Sequence, residues 1–203
     1  MGAEEEQVSR RWLDLIGVVI GALLLALLIQ WVLVKPYRIP SGSMLPTLVQ
    51  GQRVFVDRLS NRFSDPELGQ IVVFHPPQGA GRQDGQDTCG VPRPRGQICP
   101  TAENGEDDLA FIKRVVGLGG DRIEVRRGQV IRNGRPVDEP YAQRCDSDIC
   151  NLAAFTVPKD SLLMMGDNRD DSNDSRYWGA IPRRNVVGRA FATYWPTDRI
   201  GGL

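Results

Sequence analysis

The stretch "DRIEVRRGQVIRNGRPV", residues 121–137, alternates polar and apolar side chains and contains two turn signals. Alternation with a period of two is typical of a strand that is buried on one face. The dipeptides Arg127-Gly128 and Asn133-Gly134 are residue types that tight hairpin turns favour. The stretch therefore predicts antiparallel strands joined by short turns, as a hairpin or meander.

Other parts of the chain have the same character. The segments are "RVFVDRL" (residues 53–59), "GQIVVFH" (69–75), "LAFIKRVVG" (109–117) and "VVGRAFATYW" (186–195). No convincing amphipathic helix pattern accompanies them. We therefore predict a mainly β fold with an antiparallel core, and 203 residues suffice for one substantial domain or one domain with a smaller lobe.

An apolar run, "LDLIGVVIGALLLALLIQWVLV", covers residues 13–34. It is long enough for a membrane-spanning helix of about 20 residues, and its one charge, Asp14, lies at the edge. The alternative is a cleavable secretion signal, but those have apolar cores of about 7–15 residues. We predict a tail over residues 1–12, a transmembrane helix over 13–34 and a domain over 35–203. Basic residues flank both ends of the run, so they do not decide its orientation.

Four cysteines form two close pairs, Cys89 with Cys99 and Cys145 with Cys150, in polar, loop-like sequence. Neither pair has the C-x-x-C spacing of a zinc site, so we predict no metal there. Disulfides are favoured over unpaired surface thiols, and disulfides would put most of the chain outside the cytoplasm. The first pair lies in a long polar excursion, residues 76–108, that we interpret as a loop insertion.

Ser41 and Ser43 flank Gly42 in a loop that two prolines stiffen. Such a turn can present a hydroxyl, although most serines in this setting are only turn residues. A serine nucleophile needs a base that takes its proton. The single histidine, His75, stands at a strand end before two prolines, so a Ser-His-Asp triad is not favoured.

Lysine is rare: of 25 basic residues, only Lys35, Lys113 and Lys159 are lysines. In "AFIKRVV", strand alternation places Lys113 between Phe111 and Val115 on one face. Burial lowers the pKa of lysine, and a base near neutral pH requires a fall from about 10.4 to roughly 8. Arginine could not serve, because it stays protonated. The alternative is that Lys113 extends its ammonium group from a sheet edge into water.

Acids, arginines and serines alternate in "GDNRDDSNDSRYWG", residues 166–179. A calcium loop that begins at Asp170 would require glycine and glutamate where Ser175 and Ile181 stand, so that pattern fails. A solvated acidic turn is one alternative. The other is a rigid scaffold of buried charge pairs. The charged residues of such a scaffold would be Asp167, Arg169, Asp174 and Arg176.

Taken together, "IPSGSMLPTL" (residues 39–48), "FIKRVVGLGGD" (111–121) and "GDNRDDSNDSRYWG" resemble three signature segments of the type I signal peptidases, as does "GRAFATYWP" (188–196). These are membrane-anchored Ser/Lys endopeptidases that remove signal peptides from exported proteins. The resemblance covers most of the chain after the apolar run and is weakest in the two cysteine-bearing excursions. It implies an antiparallel β catalytic core with a smaller, variable cap lobe, which we expect at about residues 122–157.

Position by position, the resemblance implies that Ser43 is the nucleophile and Lys113 its general base. Ser41 corresponds to a residue whose hydroxyl joins the Ser43 N–H in the oxyanion hole, and Ser172 to one that orients the lysine amine. The supporting charged scaffold would be Arg114, Asp167, Asp174 and Arg176. The substrate pocket would be lined by Ile39, Pro40, Met44, Phe111 and Ile112.

The resemblance also implies an acyl-enzyme mechanism that needs no metal or other cofactor. Its partners would be preprotein signal peptides with Ala-x-Ala cleavage sites and the lipid bilayer. The location would be the plasma membrane, with one membrane pass and an extracytoplasmic catalytic domain. A net charge of zero gives no reason to expect nucleic-acid binding. The rival interpretations are another Ser/Lys protease, such as a self-cleaving repressor, and an inactive membrane-tethered domain that binds extended peptides.

Overall fold

The computed structural model describes residues 12, 14–25, 27, 33–81, 89, 94, 96–99, 105–143, 145, 147 and 150–203. Most of the predicted tail, part of the predicted transmembrane helix and much of the predicted insertion 76–108 therefore lie outside the described residues. Contacts divide the chain into two units, Met1–Lys35 and Pro36–Leu203.

In the first unit, residues 14–25 are helical and their side chains are exposed. Among the described residues, no helix combines the length and the apolar character that crossing a membrane requires. The transmembrane helix over residues 13–34 stays a prediction.

The second unit contains a large sheet and a small one, apart from Val34 and Lys35 at the start of the first strand, which belong to the first unit. The strands of the large sheet are β1 (Val34–Arg38), β2 (Arg53–Asp57), β3 (Ile71–Phe74), β4 (Phe111–Leu118), β9 (Ser161–Met165), β10 (Ile181–Pro182), β11 (Val186–Trp195) and β12 (Gly201–Gly202). They follow the order β1-β2-β11-β3-β4-β9-β10, with β12 paired to β11. The pairings of β2–β11, β11–β3, β3–β4 and β4–β9 are antiparallel, so the predicted mainly β, antiparallel class is confirmed.

The small sheet comes from the stretch that opened the sequence analysis and a later strand. Its strands are β5 (Arg122–Arg126), β6 (Gln129–Arg132), β7 (Arg135–Pro136) and β8 (Leu152–Thr156), in the order β7-β6-β5-β8. The β5–β6 and β6–β7 turns lie at Arg127-Gly128 and Asn133-Gly134, as the sequence predicted. All four turn residues have positive φ, between 48° and 80°, which is the conformation of the favoured two-residue hairpin turn.

Two short helices complete the unit, α1 (Ser60–Phe63) and α2 (Ser175–Trp178). Single turns of 3₁₀ helix cover Arg183–Asn185 and Thr197–Arg199. These elements are too short to bury a core of their own, so the sheets carry the apolar interior.

The central strand β3 shows how the core is arranged. Its side chains alternate between two clusters, with Ile71 and Val73 in one and Val72 and Phe74 in the other. This explains the unbroken apolar run in the sequence, because a strand buried on both faces needs no polar face. The neighbouring β4 reaches both clusters through Ile112 and Val115 and a third cluster through Val116. Residues between these positions are therefore held in apolar surroundings.

Candidate active site

Ser43 and Lys113, 70 positions apart in the chain, meet in the second unit. Nζ of Lys113 lies 2.7 Å from Oγ of Ser43, within hydrogen-bond distance. Ser43 is 6% exposed and Lys113 is 4% exposed, so the burial that strand alternation predicted for the lysine is confirmed. A hydroxyl in contact with a buried amine is the geometry that a nucleophile and its base require.

The loop over residues 39–52 positions Ser43. Its ends are joined because Ile39 N donates to Gln52 O at 2.8 Å and Gly51 N donates to Ile39 O at 2.8 Å. Three of its apolar side chains, Ile39, Met44 and Leu48, are buried in the core. The loop is therefore anchored by its own side chains, and Ser43 is held where the loop meets β4.

The surroundings of Lys113 act on its pKa in opposite directions. Burial is the largest effect and lowers the pKa from 10.5 to about 8, because an ammonium group loses its hydration there. Asp174 raises the pKa, whereas Arg176 adds to the fall. The ring of Phe111 lies 5.5 Å from Nζ. A large fraction of Lys113 is consequently uncharged near pH 8.

A bidentate ion pair between Arg114 and Asp167 joins β4 to the segment that follows β9. Arg114 donates from Nε to Oδ1 at 2.8 Å and from Nη2 to Oδ2 at 2.6 Å. Thr47, in the loop of Ser43, donates to the same Asp167 carboxylate at 2.5 Å. Arg114 also donates to Gly69 O at 2.6 Å. Asp167 thus connects the loop that carries Ser43 with the strand that carries Lys113.

Asp174 and Arg176 form a second buried pair, with Nε to Oδ1 at 2.8 Å and Nη2 to Oδ2 at 2.9 Å. Burial alone would raise the pKa of Asp174, but the charge and hydrogen bonds of Arg176 lower it below its ordinary value. Asp174 is also the N-cap of α2, and it accepts a hydrogen bond from Gly166 N at 3.0 Å. One carboxylate therefore orders both ends of this segment.

Gly166 sits where only a residue without Cβ fits. A Cβ built there would collide with Oγ of Ser172 and with the carbonyl oxygen of Ser43. Asn168 N donates to the same Ser43 carbonyl at 3.1 Å, and its side-chain amide donates to Gly42 O at 3.2 Å. The segment after β9 is thereby fastened to both sides of the nucleophile position.

Ser41 and Ser172, the two other serines of the predicted site, lie close to the pair but differ in their contacts. Oγ of Ser41 donates to Oγ of Ser43 at 3.3 Å. Ser172 is 5% exposed, and its side chain interacts with the buried Asp174 carboxylate, whose pKa it helps to lower. The roles predicted for both serines stay predictions.

The predicted pocket residues fall into different environments. Ile39, Met44 and Ile112 lie together in one core cluster, and Phe111 packs at the edge of another. Pro40, by contrast, is exposed. The ring of Phe111 lies 5.5 Å from Nζ of Lys113. The role of all five residues as a substrate pocket stays a prediction.

The cysteines pair as neighbours, Cys89 with Cys99 and Cys145 with Cys150, with Cα separations of 5.3 and 5.8 Å. Among the described residues, Cys145, Cys150 and Asp170 lie close enough to share a metal ion. Disulfide formation leaves no thiolate at either cysteine for a metal, so this group is described better as a disulfide with a nearby carboxylate.

Sequence reasoning missed several residues of the site. Thr47, Glu139, Tyr141, Gly166 and Asn168 were in none of the predicted groups. Gly166 and Asn168 lie inside the stretch already singled out, where a glycine before a charged run is a signal for close backbone approach. Glu139 and Tyr141 lie in "DEPYAQ" (residues 138–143), which has no pattern that indicates burial.

Comparison with known proteins identifies the family of the chain. The family model described as "Signal peptidase, peptidase S26" matches residues 10–195. A probable signal peptidase I-1 from Synechocystis sp. is 41% identical over 188 residues, which cover 93% of this chain and 85% of that protein. A signal peptidase I from Leptolyngbya laminosa is 38% identical over 182 residues, which cover 90% of this chain and 79% of that protein.

Among solved structures, the crystal structure of a signal peptidase I from Enterococcus faecalis V583 covers 62% of this chain, which in turn covers 97% of that chain. Its TM-score is 0.40 and its sequence identity 22%, so it adds no weight to the assignment. The family match and the sequence relatives carry it. On those grounds the chain belongs to the signal peptidase family, peptidase S26, as a serine peptidase of the signal peptidase I type.

Proposed function

We propose that Ser43 and Lys113 perform the removal of signal peptides from preproteins, the activity that membership of the signal peptidase I family supports. The observation that carries this proposal is the 2.7 Å contact between Nζ of Lys113 and Oγ of Ser43 in a buried site. The pKa of about 8 supports it further, because a base must be uncharged to accept a proton.

The first chemical step is acylation. Neutral Lys113 takes the proton of Ser43 while Oγ attacks the carbonyl carbon before the scissile bond. The tetrahedral intermediate then collapses, the peptide C–N bond breaks, and the ammonium of Lys113 gives its proton to the departing amine. The products are the free N-terminus of the mature protein and an ester between Ser43 and the signal peptide.

The second step is hydrolysis of that ester. Lys113 takes a proton from water, the resulting hydroxide attacks the ester carbonyl, and the proton returns to Oγ of Ser43 as the signal peptide leaves. The same amine therefore acts as base and acid in both steps, which requires that its pKa be near the working pH.

Two donors are available for the oxyanion. Among the described residues, no hydrogen bond uses the N–H of Ser43, and the Ser41 hydroxyl already lies 3.3 Å from Oγ. Each well-placed donor contributes about 3–4 kcal/mol to the transition state. We assign Ser172 to orientation of the amine, because its hydroxyl is buried beside Gly166 and next to the Asp174 carboxylate.

The substrate in this proposal is an extended peptide with small residues at an Ala-x-Ala cleavage site. Main-chain hydrogen bonds would hold it as an added strand, and shallow apolar walls such as Ile39, Met44 and Ile112 would select small side chains. The helical residues 14–25 carry exposed apolar side chains, and we assign the run over residues 13–34 to a single membrane pass. The catalytic domain would then face the extracytoplasmic side of the plasma membrane.

The direct test uses the full chain in detergent and a preprotein whose signal peptide ends in Ala-x-Ala. Wild type releases the mature protein, whereas Ser43→Ala abolishes release because no Oγ remains to form the ester. Gel mobility and the N-terminal sequence of the product report the cut. Release of mature protein by Ser43→Ala at the wild-type rate would overturn the assignment of the nucleophile.

A further inference from the structure

Glu139 and Arg169 form a buried ion pair that the proposed chemistry does not use. Nη2 of Arg169 donates to Oε1 of Glu139 at 2.6 Å, and Nη1 donates to Oε2 at 3.0 Å. Their side chains are 1% and 5% exposed for Arg169 and Glu139, respectively. Surface pairs of this kind contribute little, but a pair removed from water requires close geometry to exist at all. The pair is therefore part of the protein interior.

Arg169 connects this ion pair to the backbone beside Ser43. Nε of Arg169 donates to the carbonyl of Gly166 at 3.1 Å, and the same guanidinium donates to the carbonyl of Gly128 in the β5–β6 turn. Gly166 touches the carbonyl oxygen of Ser43 so closely that no Cβ fits. A displacement of Arg169 would thus move the backbone against which Ser43 rests.

Tyr141, two residues after Glu139, contacts β4, the strand that carries Lys113. Its ring centroid lies 3.8 Å from Cζ of Arg114, the neighbour of Lys113 in β4. Its hydroxyl donates to Oε1 of Glu139 at 3.2 Å. Burial, and then the charge of Glu139, raises the pKa of Tyr141 to about 12, so the hydroxyl keeps its proton. The flat face of the Arg114 guanidinium that holds Asp167 is therefore covered by an aromatic ring.

The backbone of the same segment also runs beside the catalytic segment. Gln143 N donates to the carbonyl of Asp167 at 2.8 Å, and Gln143 pairs with Asn168 in a parallel bridge. Residues 139–143 therefore contact residues 167–169 through an ion pair and a backbone bridge, and they contact β4 through the aromatic ring of Tyr141.

We infer that Glu139 and Tyr141, together called the Glu139–Tyr141 clasp, are positioning residues of the peptidase. Tyr141 holds Arg114 on the side of Lys113, and Glu139 holds Arg169 on the side of Ser43. The clasp sets the distance between the amine and the hydroxyl without touching either. The inference rests on the proposed roles of Ser43 and Lys113.

The test measures kcat and KM of the full chain in detergent with a quenched fluorescent peptide that spans an Ala-x-Ala site. Tyr141→Phe keeps the ring over Arg114, so its kcat stays within about twofold of wild type. Tyr141→Leu removes the ring, and we expect kcat to fall about tenfold with KM unchanged, because misplaced reacting groups slow the chemical step and not peptide binding. Circular dichroism confirms that both variants are folded at the assay temperature.

Glu139→Gln provides the second measurement, and Glu124→Gln is its matched control. Glu124 pairs with Arg126, whose side chain is 69% exposed. The control therefore removes a carboxylate from an arginine at the surface of the small sheet. We expect Glu139→Gln to lower kcat by at least about tenfold and the control to leave it unchanged. If Glu139→Gln does not fold, the kcat values of the two Tyr141 variants test the clasp by themselves.

A Tyr141→Leu variant with the kcat of wild type overturns the clasp, and so does one in which KM rises while kcat is kept. Equal losses in Tyr141→Phe and Tyr141→Leu overturn the role of the ring. Failure of the proposed function looks different. In that case Ser43→Ala cleaves the peptide as wild type does, whatever the clasp variants show.

Discussion

Two regions of the site each bury a basic side chain, and the pKa of that side chain shifts in opposite directions in the two regions. Lys113 in β4 is 4% exposed and Arg176 in α2 is 5% exposed. Burial lowers the pKa of Lys113 to about 8. Burial acts in the same direction on Arg176, but the Asp174 carboxylate outweighs it and raises the pKa above the ordinary value.

The partner of each cation explains the difference. The Lys113 amine contacts a hydroxyl, which cannot compensate a full charge, whereas the Arg176 guanidinium forms a bidentate pair with a carboxylate. A buried arginine stays charged and, paired with a carboxylate, forms part of the scaffold, whereas a buried lysine without a carboxylate partner is driven towards the neutral form. The site needs both kinds, because a base must lose its charge while the framework around it must keep a fixed geometry.

The largest expected effect comes from giving the lysine position a cation that cannot become neutral. Lys113→Arg preserves the charge and much of the length, but a guanidinium does not deprotonate in proteins. We expect kcat/KM for peptide cleavage to fall at least about a thousandfold, the scale seen when a catalytic base is lost. The matched control is Lys159→Arg at an exposed position, which should cleave as wild type does. Near-normal cleavage by Lys113→Arg would mean that Lys113 is not the base.

The second-largest expected effect comes from removing the carboxylate of Asp174, which pairs with Arg176. Asp174→Asn keeps an N-cap for α2 but leaves a guanidinium buried without its counter-charge. We expect the free energy of unfolding to fall by about 3–5 kcal/mol in urea titrations. Glu124→Gln at the surface should change it by less than about 1 kcal/mol.

The same variant has a second readout. Asp174 raises the pKa of Lys113, so its loss should move the acidic limb of the kcat/KM profile to lower pH. A limb that moves to higher pH, or an unfolding free energy equal to that of wild type, would show that the two buried cations do not differ through Asp174.

The smallest effect is the pH dependence of stability that the lysine contributes. The ordinary pKa of 10.5 applies to the unfolded chain and the value of about 8 to the folded one. Between these values the unfolded chain binds more protons, so the free energy of unfolding rises with pH, by at most about 1.4 kcal/mol per pH unit. The stability that this pKa difference contributes is complete above the unfolded-state pKa. It is lost as pH falls through the folded-state pKa.

The measurement is the difference in unfolding free energy between wild type and Lys113→Met from about pH 7 to about pH 10. Other titrations, including that of Tyr141, cancel in this difference. A difference that does not change with pH would show that Lys113 keeps its ordinary pKa when folded.

Local features of the fold could be predicted from the sequence because neighbouring residues determine them. The turns at Arg127-Gly128 and Asn133-Gly134 need only a residue that tolerates positive φ beside a glycine. The apolar run of β3 indicates a strand buried on both faces. Alternation placed Lys113 on one face with Phe111 and Val115 and left burial as one of two alternatives, which the structure then showed. Each of these inferences uses contacts within a few positions along the chain.

The partners of Glu139 and Tyr141 could not be predicted in this way. Glu139 reads as a solvated acid before a proline, yet it pairs with Arg169 across 30 positions. Tyr141 lies in a loop after β7, yet its ring contacts Arg114 of β4. Nothing in the surrounding letters indicates which arginine each residue will meet.

The sequence by itself determined the strand class, the hairpin turns and, through three motifs in order, which serine and lysine to consider. Only the tertiary structure brought Nζ and Oγ to 2.7 Å and decided which buried cation received a carboxylate. The physical reason is range. Turn conformation and strand alternation are properties of adjacent residues, whereas a pKa depends on every charge and on the water excluded around a group, and these come from segments far apart in the chain.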